Sequence, residues 1–238
     1  VLSKIRHHLW GDLTKEDLKK FGFLALIFLC LTGSYSIVHP LKEALFARLV
    51  GPTYLPYAKL CSVLILIPLL FGYAKLVDAL KKYQLFYVLG SLYALAYVII
   101  AYTLTLPAIG LANTQPDKTR LLGWFLYMCV ESFGAIAFSL FWSFVVSVTD
   151  VESAKRGYPL LIAGSQFGGI LSPELVKRAS YFGIPFLFII SGLYAIAILI
   201  FTKLFIYNYN THAHIRDDAK ETTGPIEGIR LLLSRPFL

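Results

Sequence analysis

The chain has 238 residues, 57% of them hydrophobic and only 15% charged, and its mean hydropathy is +0.68. That is too little charge to cover the surface of a soluble domain of this size, so a water-soluble fold is excluded. The formal net charge of +8 does not indicate nucleic acid, because basic nucleic-acid-binding domains are not built from stacked apolar segments. It reads instead as loop lysines and arginines beside a membrane, together with an electropositive cavity for an anionic solute.

Continuous apolar blocks, each long enough to cross a hydrocarbon core of about 30 Å as a helix, recur along the chain. They do not alternate, which selects helices over a barrel. Residues 1–20 are basic and polar, with Lys4, Arg6, His7 and His8, and have no leader-like apolar core; a cytoplasmic amino-terminal segment is expected. Six transmembrane helices are predicted at 21–49, 54–77, 83–106, 121–148, 158–177 and 185–207. The first is expected to be interrupted near His39-Pro40, and the fifth is the least apolar and richest in Gly and Ser. A polar cytoplasmic linker at 208–224 and the start of a truncated second half at 225–238 complete the chain. The fold class expected is an all-α integral membrane bundle of six helices, half of a major-facilitator-like 6+6 fold.

Lys15, Lys19, Lys20, Lys75, Lys81, Lys82, Lys155, Arg156, Arg216 and Lys220 fall on one side of such a bundle; Arg48, Lys118, Arg120, Lys177 and Arg178 fall on the other. The excess puts the amino terminus in the cytoplasm. Cys30, Cys61 and Cys129 lie inside apolar blocks without metal-ligand spacing and are expected as free thiols. His7, His8, His212 and His214 lie in polar termini without acidic or cysteine partners, so no metal site and no cofactor is expected. No phosphate-binding glycine loop, nucleophile elbow or zinc-binding helix is present, which argues against an enzyme.

Charges within the apolar helices carry the functional argument, since each costs roughly 2.5–3.5 kcal/mol at a helix centre. Lys42, Lys59 and Glu131 qualify. Tyr35, His39, Lys42 and Phe46 follow helical spacing and share a stripe, a face suited to a phosphorylated aromatic solute. Against this, Lys42 and Lys59 could snorkel to an interface, Glu43 could neutralise Lys42, and Glu131 could form a purely structural ion pair with either lysine. Tyr127, Trp142 and Gln166 are candidate cavity-lining residues, and Lys155 and Arg156 are candidates for a cytoplasmic hinge or gate. Gly164, Gly168 and Gly169 with Ser165 form a small-residue face expected to pack closely on another helix.

Several of these residues sit in motifs. They are Ser34-Tyr35-Ser36-Ile37-Val38-His39-Pro40-Leu41-Lys42-Glu43, Tyr57-Ala58-Lys59, Tyr73-Ala74-Lys75-Leu76 with Lys81-Lys82, Met128-Cys129-Val130-Glu131-Ser132-Phe133, Leu140-Phe141-Trp142-Ser143-Phe144 and Ser153-Ala154-Lys155-Arg156-Gly157-Tyr158-Pro159. In order and spacing they resemble the amino-terminal half of the ATP/ADP translocase family, the non-mitochondrial nucleotide transporters of intracellular bacteria and plastids. The resemblance implies that the family's functional lysine and glutamate fall on Lys42 and Glu131. Departures are His39 for arginine, Glu43 for aspartate, and Val146 and Gln166 for asparagine. The resemblance further implies exchange of ATP and ADP, or of a related nucleotide, across a bacterial inner membrane, with substrate binding by Lys42, Glu131, Lys59, Tyr35 and His39. The expected partners are the nucleotide, the lipid bilayer and a carboxy-terminal half not contained in the chain. The rival expectations are a proton-coupled symporter of another organic anion and a non-transporting membrane scaffold.

Overall fold

The computed structural model describes residues 15–209. The expected amino-terminal segment up to residue 14, the linker from residue 210 and the segment 225–238 lie outside the described residues. Within them every regular element is helical: α1 (Lys15–Leu49), α2 (Leu55–Ala79), α3 (Lys82–Thr105), α4 (Leu121–Val148), α5 (Val151–Lys177), the single turn α6 (Ala179–Phe182) and α7 (Ile184–Tyr209).

α1 begins with Glu16 and Asp17 and ends with Arg48, charges that complement the helix dipole. It extends at least six residues earlier than the expected boundary at residue 21, and it is not interrupted at His39-Pro40. Proline removes only the one N–H that would reach the carbonyl four residues back. Ile37, Val38, Leu41 and Leu45, all buried on either side of it, hold the axis together. Gly51 then turns the chain at φ +122°, a conformation that favours glycine, into a short 3-10 turn at Pro52–Tyr54 that leads into α2.

The α2–α3 joint is only two residues long. The Gln84 side chain accepts from the Lys81 amide at 3.0 Å, which satisfies one donor at the start of α3. The fifth helix begins at Val151 rather than at Tyr158. Asp150 is its N-cap, accepting from the Ser153 amide at 3.2 Å and from the Ser153 hydroxyl. Lys155 and Arg156 therefore stand in the first two turns of a helix and not in a loop.

Consecutive long helices run up and down, so the bundle has a basic end and a loop end. The basic end gathers Lys19, Lys20, Lys81, Lys82, Lys155 and Arg156, and the loop end carries residues 106–120. α1 lies at the centre, packed against α5, α7 and α4, while α3 rests on α7 and α4. α2 is peripheral and leans mainly on α4. Its most apolar stretch is only 6% buried, against 61% for α1.

Five of these helices, α1, α2 with its preceding turn, α3, α4 and α7, are long and apolar enough to cross a membrane. Six were expected; α5 has the length, at 27 residues, but not the apolarity. Glycines explain the shortfall. α5 meets α1 through backbone, so an apolar side-chain stripe is not needed on that face. A Cβ added at Gly164 would lie 2.6 Å from the Ala25 carbonyl oxygen, and one at Gly168 would lie 2.9 Å from the Gly33 nitrogen. The Thr32 hydroxyl closes the contact by donating to the Ser165 carbonyl at 3.1 Å. Gly157 joins the same face against Phe21, whereas Gly169, expected to belong to it, meets nothing within 4 Å.

Candidate functional site

Lys42 lies in the last third of α1, roughly 10 Å short of its carboxy end, and Glu131 is about 15 Å inside α4. The two helices are in contact, and Lys42 Nζ donates to Glu131 Oε1 across them. Lys42 is almost sealed, its side chain 3% exposed, while that of Glu131 remains 26% exposed. The ammonium also lies 5.1 Å from the centre of the Tyr127 ring, a cation–π contact. The cation is thus held by a carboxylate and an aromatic face, and the carboxylate opens outward.

Aromatic rings build the rest. On the loop-end side Phe46 meets Tyr127 and Trp124 edge-on, at 5.3 and 5.1 Å between centroids. Trp124 Nε1 donates to the Lys118 carbonyl at 3.0 Å, tying this roof to the 106–120 loop. That loop is fastened from within. The Arg120 guanidinium donates to the carbonyls of Gly110, Asn113 and Gln115 at 3.0–3.2 Å, and Arg48 donates to the Leu111 carbonyl at 3.0 Å. Nothing in the hydropathy pattern distinguishes Arg120 from any other loop charge.

On the other side Tyr35 and His39, both half-buried, lie 4.8 Å apart. Tyr35 packs edge-on against Phe138 at 5.5 Å. It can lie on α4 because residue 134 is glycine: a Cβ there would come within 2.7 Å of the tyrosine ring. Phe138 in turn touches Phe28, which meets Trp142 at 5.4 Å, and Trp142 meets Tyr158 at 5.8 Å. An aromatic ladder thus descends from the ion pair toward the basic end.

The structure therefore brings Lys42, Glu131, Tyr35, His39 and Tyr127 together, and joins Trp142 to them only through this ladder. Lys59 stands apart. It pairs with Glu43 at 3.3 Å, with side chains 62% and 48% exposed, linking α2 to α1 at the surface. Such a pair contributes about 0–1 kcal/mol. It also means that Glu43 neutralises Lys59 rather than Lys42. Gln166 is exposed on α5 and makes no hydrogen bond among the described residues. At the basic end Arg156 reaches Asp17 of α1 at 4.0 Å, while Lys155 pairs with Glu152 of its own helix at 3.8 Å. Phe138 and Gly134 stand outside the sequence-predicted site residues; their role shows only once Tyr35 is seen against α4.

Chemically, the arrangement offers one sealed cation beside an openable carboxylate, with rings and an imidazole next to it. This suits an anion attached to a flat aromatic group better than a metal or a nucleophilic reaction.

The chain is 25% identical over 201 residues to ADP,ATP carrier protein 4 of Rickettsia bellii, a match covering 76% of this chain and 38% of the relative. Identity to the protein of the same name in Rickettsia prowazekii is 26% over 200 residues, covering 75% and 38%. For ADP,ATP carrier protein 1 of Chlamydia pneumoniae it is 29% over 204 residues, again 75% and 38%. The chain thus matches a stretch of little more than a third of the length of these curated relatives. No solved structure matches it. A family model described as TLC ATP/ADP transporter matches residues 1–207, which takes in the helices that carry Lys42 and Glu131. With apolar spans and relatives that agree, the chain belongs to the TLC ATP/ADP transporter family.

Proposed function

We propose that the intact protein exchanges nucleotides, ATP against ADP, across a bacterial inner membrane by alternating access, and that this chain supplies the amino-terminal half. The single observation that carries the reading is the Lys42–Glu131 pair, an ammonium nearly sealed in an apolar bundle against a carboxylate that stays partly open. Family membership and the printed names of the relatives support the choice of substrate.

In this mechanism Glu131 holds Lys42 while the site is empty, since removing one member of a buried pair leaves a charge uncompensated at a cost of about 3–5 kcal/mol. A nucleotide phosphate replaces the carboxylate on Lys42, and Glu131 swings toward its open side. Tyr35 stacks on the base, His39 adds a donor, and Lys59 receives the far end of the phosphate chain after leaving Glu43. Tyr127 and Trp142 line the route, and Gln166 faces it from α5. α5 crosses as the sixth span with its exposed side turned to a second six-helix half in a major-facilitator-like arrangement. Arg156, bridged to Asp17, and Lys155 form the cytoplasmic gate.

The test is uptake of labelled ATP by proteoliposomes containing the intact protein and preloaded with ADP. Uptake that depends on internal ADP and survives collapse of the pH gradient is expected. Uptake indifferent to internal ADP would overturn exchange, and uptake that vanishes with the pH gradient would replace it with proton symport through Glu131.

A further inference from the structure

On the side of the bundle formed by α3 and α7, the sequence places a lysine that the transport site does not use. The two helices run antiparallel, and their register is fixed by close contacts. A Cβ at Gly90 would lie 3.2 Å from Leu199 Cγ, one at Gly192 would lie 3.5 Å from the Ala94 carbonyl, and the Tyr97 and Phe188 rings are 6.2 Å apart. This register sets Lys203 about level with Gln84, roughly one helical turn inside Lys81 and the α2–α3 joint.

Between the helices lies an open groove of about 450 Å³ lined by Tyr87, Leu199, Ile200 and Lys203. Its walls are apolar, one rim carries an ammonium and a phenol, and none of the four lining residues is acidic. Lys203 is exposed and makes no ion pair or hydrogen bond among the described residues. Deeper along the same side, Val98 of α3 and Leu193 and Ile196 of α7 are 41–58% exposed, a surface for acyl chains. Lys81 and Lys82 add positive charge at the groove's basic end; Lys82 leans away toward the Ser143 carbonyl of α4 at 3.5 Å.

We propose that this groove binds one anionic phospholipid of the adjoining leaflet, its phosphate on Lys203 and its acyl chain along Leu199 and Ile200. A cation at the depth where headgroup meets hydrocarbon needs an anion or water, and a basic recess between spans on the positively charged side supplies lipid-headgroup recognition. Tyr87 occupies the interfacial level where phenols are favoured. With no acidic side chain among the described residues that line it, the groove offers nothing to the ammonium of a zwitterionic headgroup. The site is independent of the nucleotide reading and stands whether or not that reading does.

The experiment measures the melting temperature of the purified, detergent-solubilised intact protein with added phosphatidylglycerol, phosphatidylcholine or soluble glycerol 3-phosphate. Phosphatidylglycerol is expected to raise it by about 3 °C or more over phosphatidylcholine, with glycerol 3-phosphate giving no shift. Lys203→Gln, an exposed and well-tolerated change, should abolish the difference. Lys203→Arg should keep it, as should Lys81→Gln, which removes a cation at the same end but outside the groove. Equal shifts from the two lipids, a full shift in Lys203→Gln, an equal loss in Lys81→Gln or a shift from glycerol 3-phosphate alone would each overturn the proposal.

Discussion

Lys42 and Glu131 share one ion pair but not one environment, and substitutions of the two should therefore separate. Replacing Lys42 by alanine leaves Glu131 with access to its open side, so the bundle should keep its fold while the proposed charge-assisted phosphate contact is lost. Such a contact is worth about 1.5–3 kcal/mol, so uptake of labelled ATP at low substrate should fall roughly 10- to 100-fold. Glu131→Gln retains a hydrogen-bonding group but leaves the sealed ammonium without a countercharge; it should lower the melting temperature more than Lys42→Ala does. Equal uptake in wild type and Lys42→Ala would remove the phosphate site. These two residues were legible in the sequence because charge inside an apolar helix is expensive and so demands a reason. That they pair with each other, rather than with Glu43 and Lys59, was not legible, because partners on different helices depend on crossing angle and rotation. The same limit hid the contact of Tyr35 with Gly134.

At the scale of the element, α1 and α5 meet backbone to backbone, and the contact tolerates little added volume. Gly164→Leu should force the helices apart; overpacking of this kind costs about 1–3 kcal/mol, read as a lower melting temperature in detergent. The same change at Gly169, which faces open space, should leave the melting temperature nearly unaltered. Asp150 caps α5, and its hydrogen bonds from the Ser153 side chain and amide hold its carboxyl below its ordinary value of 3.8. A depressed native pKa gives stability that is fully present above the unfolded value and is lost as pH falls through the native one. Amide exchange in the first turn of α5 should therefore stay slow near neutrality and accelerate relative to α4 only in acid, and Asp150→Asn should remove that acid dependence. α4 covers Leu121–Val148, an apolar run bounded by Arg120 and Thr149. The start of α5 was missed by seven residues, because Tyr158-Pro159 reads as a first helical turn and the cap at Asp150 precedes a charged stretch. The supposed break at Pro40 failed for the converse reason: a single proline is a local loss that packing overrides.

Across the whole molecule, charge and burial are both distributed unevenly. The basic end holds most of the lysines and arginines of the described residues, and by the positive-inside rule a cytoplasmic location of that end is the topology to test. In a cysteine-free background, a cysteine at Lys118 should react with an impermeant maleimide on intact cells, and one at Lys81 only after permeabilisation. The opposite pattern would invert the topology. The five most apolar helices and their order could be read from apolar blocks alone. The peripheral position of α2 could not, because its composition is as greasy as that of its buried neighbours.

The loop between α3 and α4 is gripped chiefly through main-chain oxygens by Arg120, with Trp124 and Arg48 helping. Main-chain atoms are the same whatever residue supplies them. The side chains of Gln115 and Lys118 are therefore free to drift in evolution or to carry an engineered tag, while Arg120 itself is the clasp that no neighbour can replace.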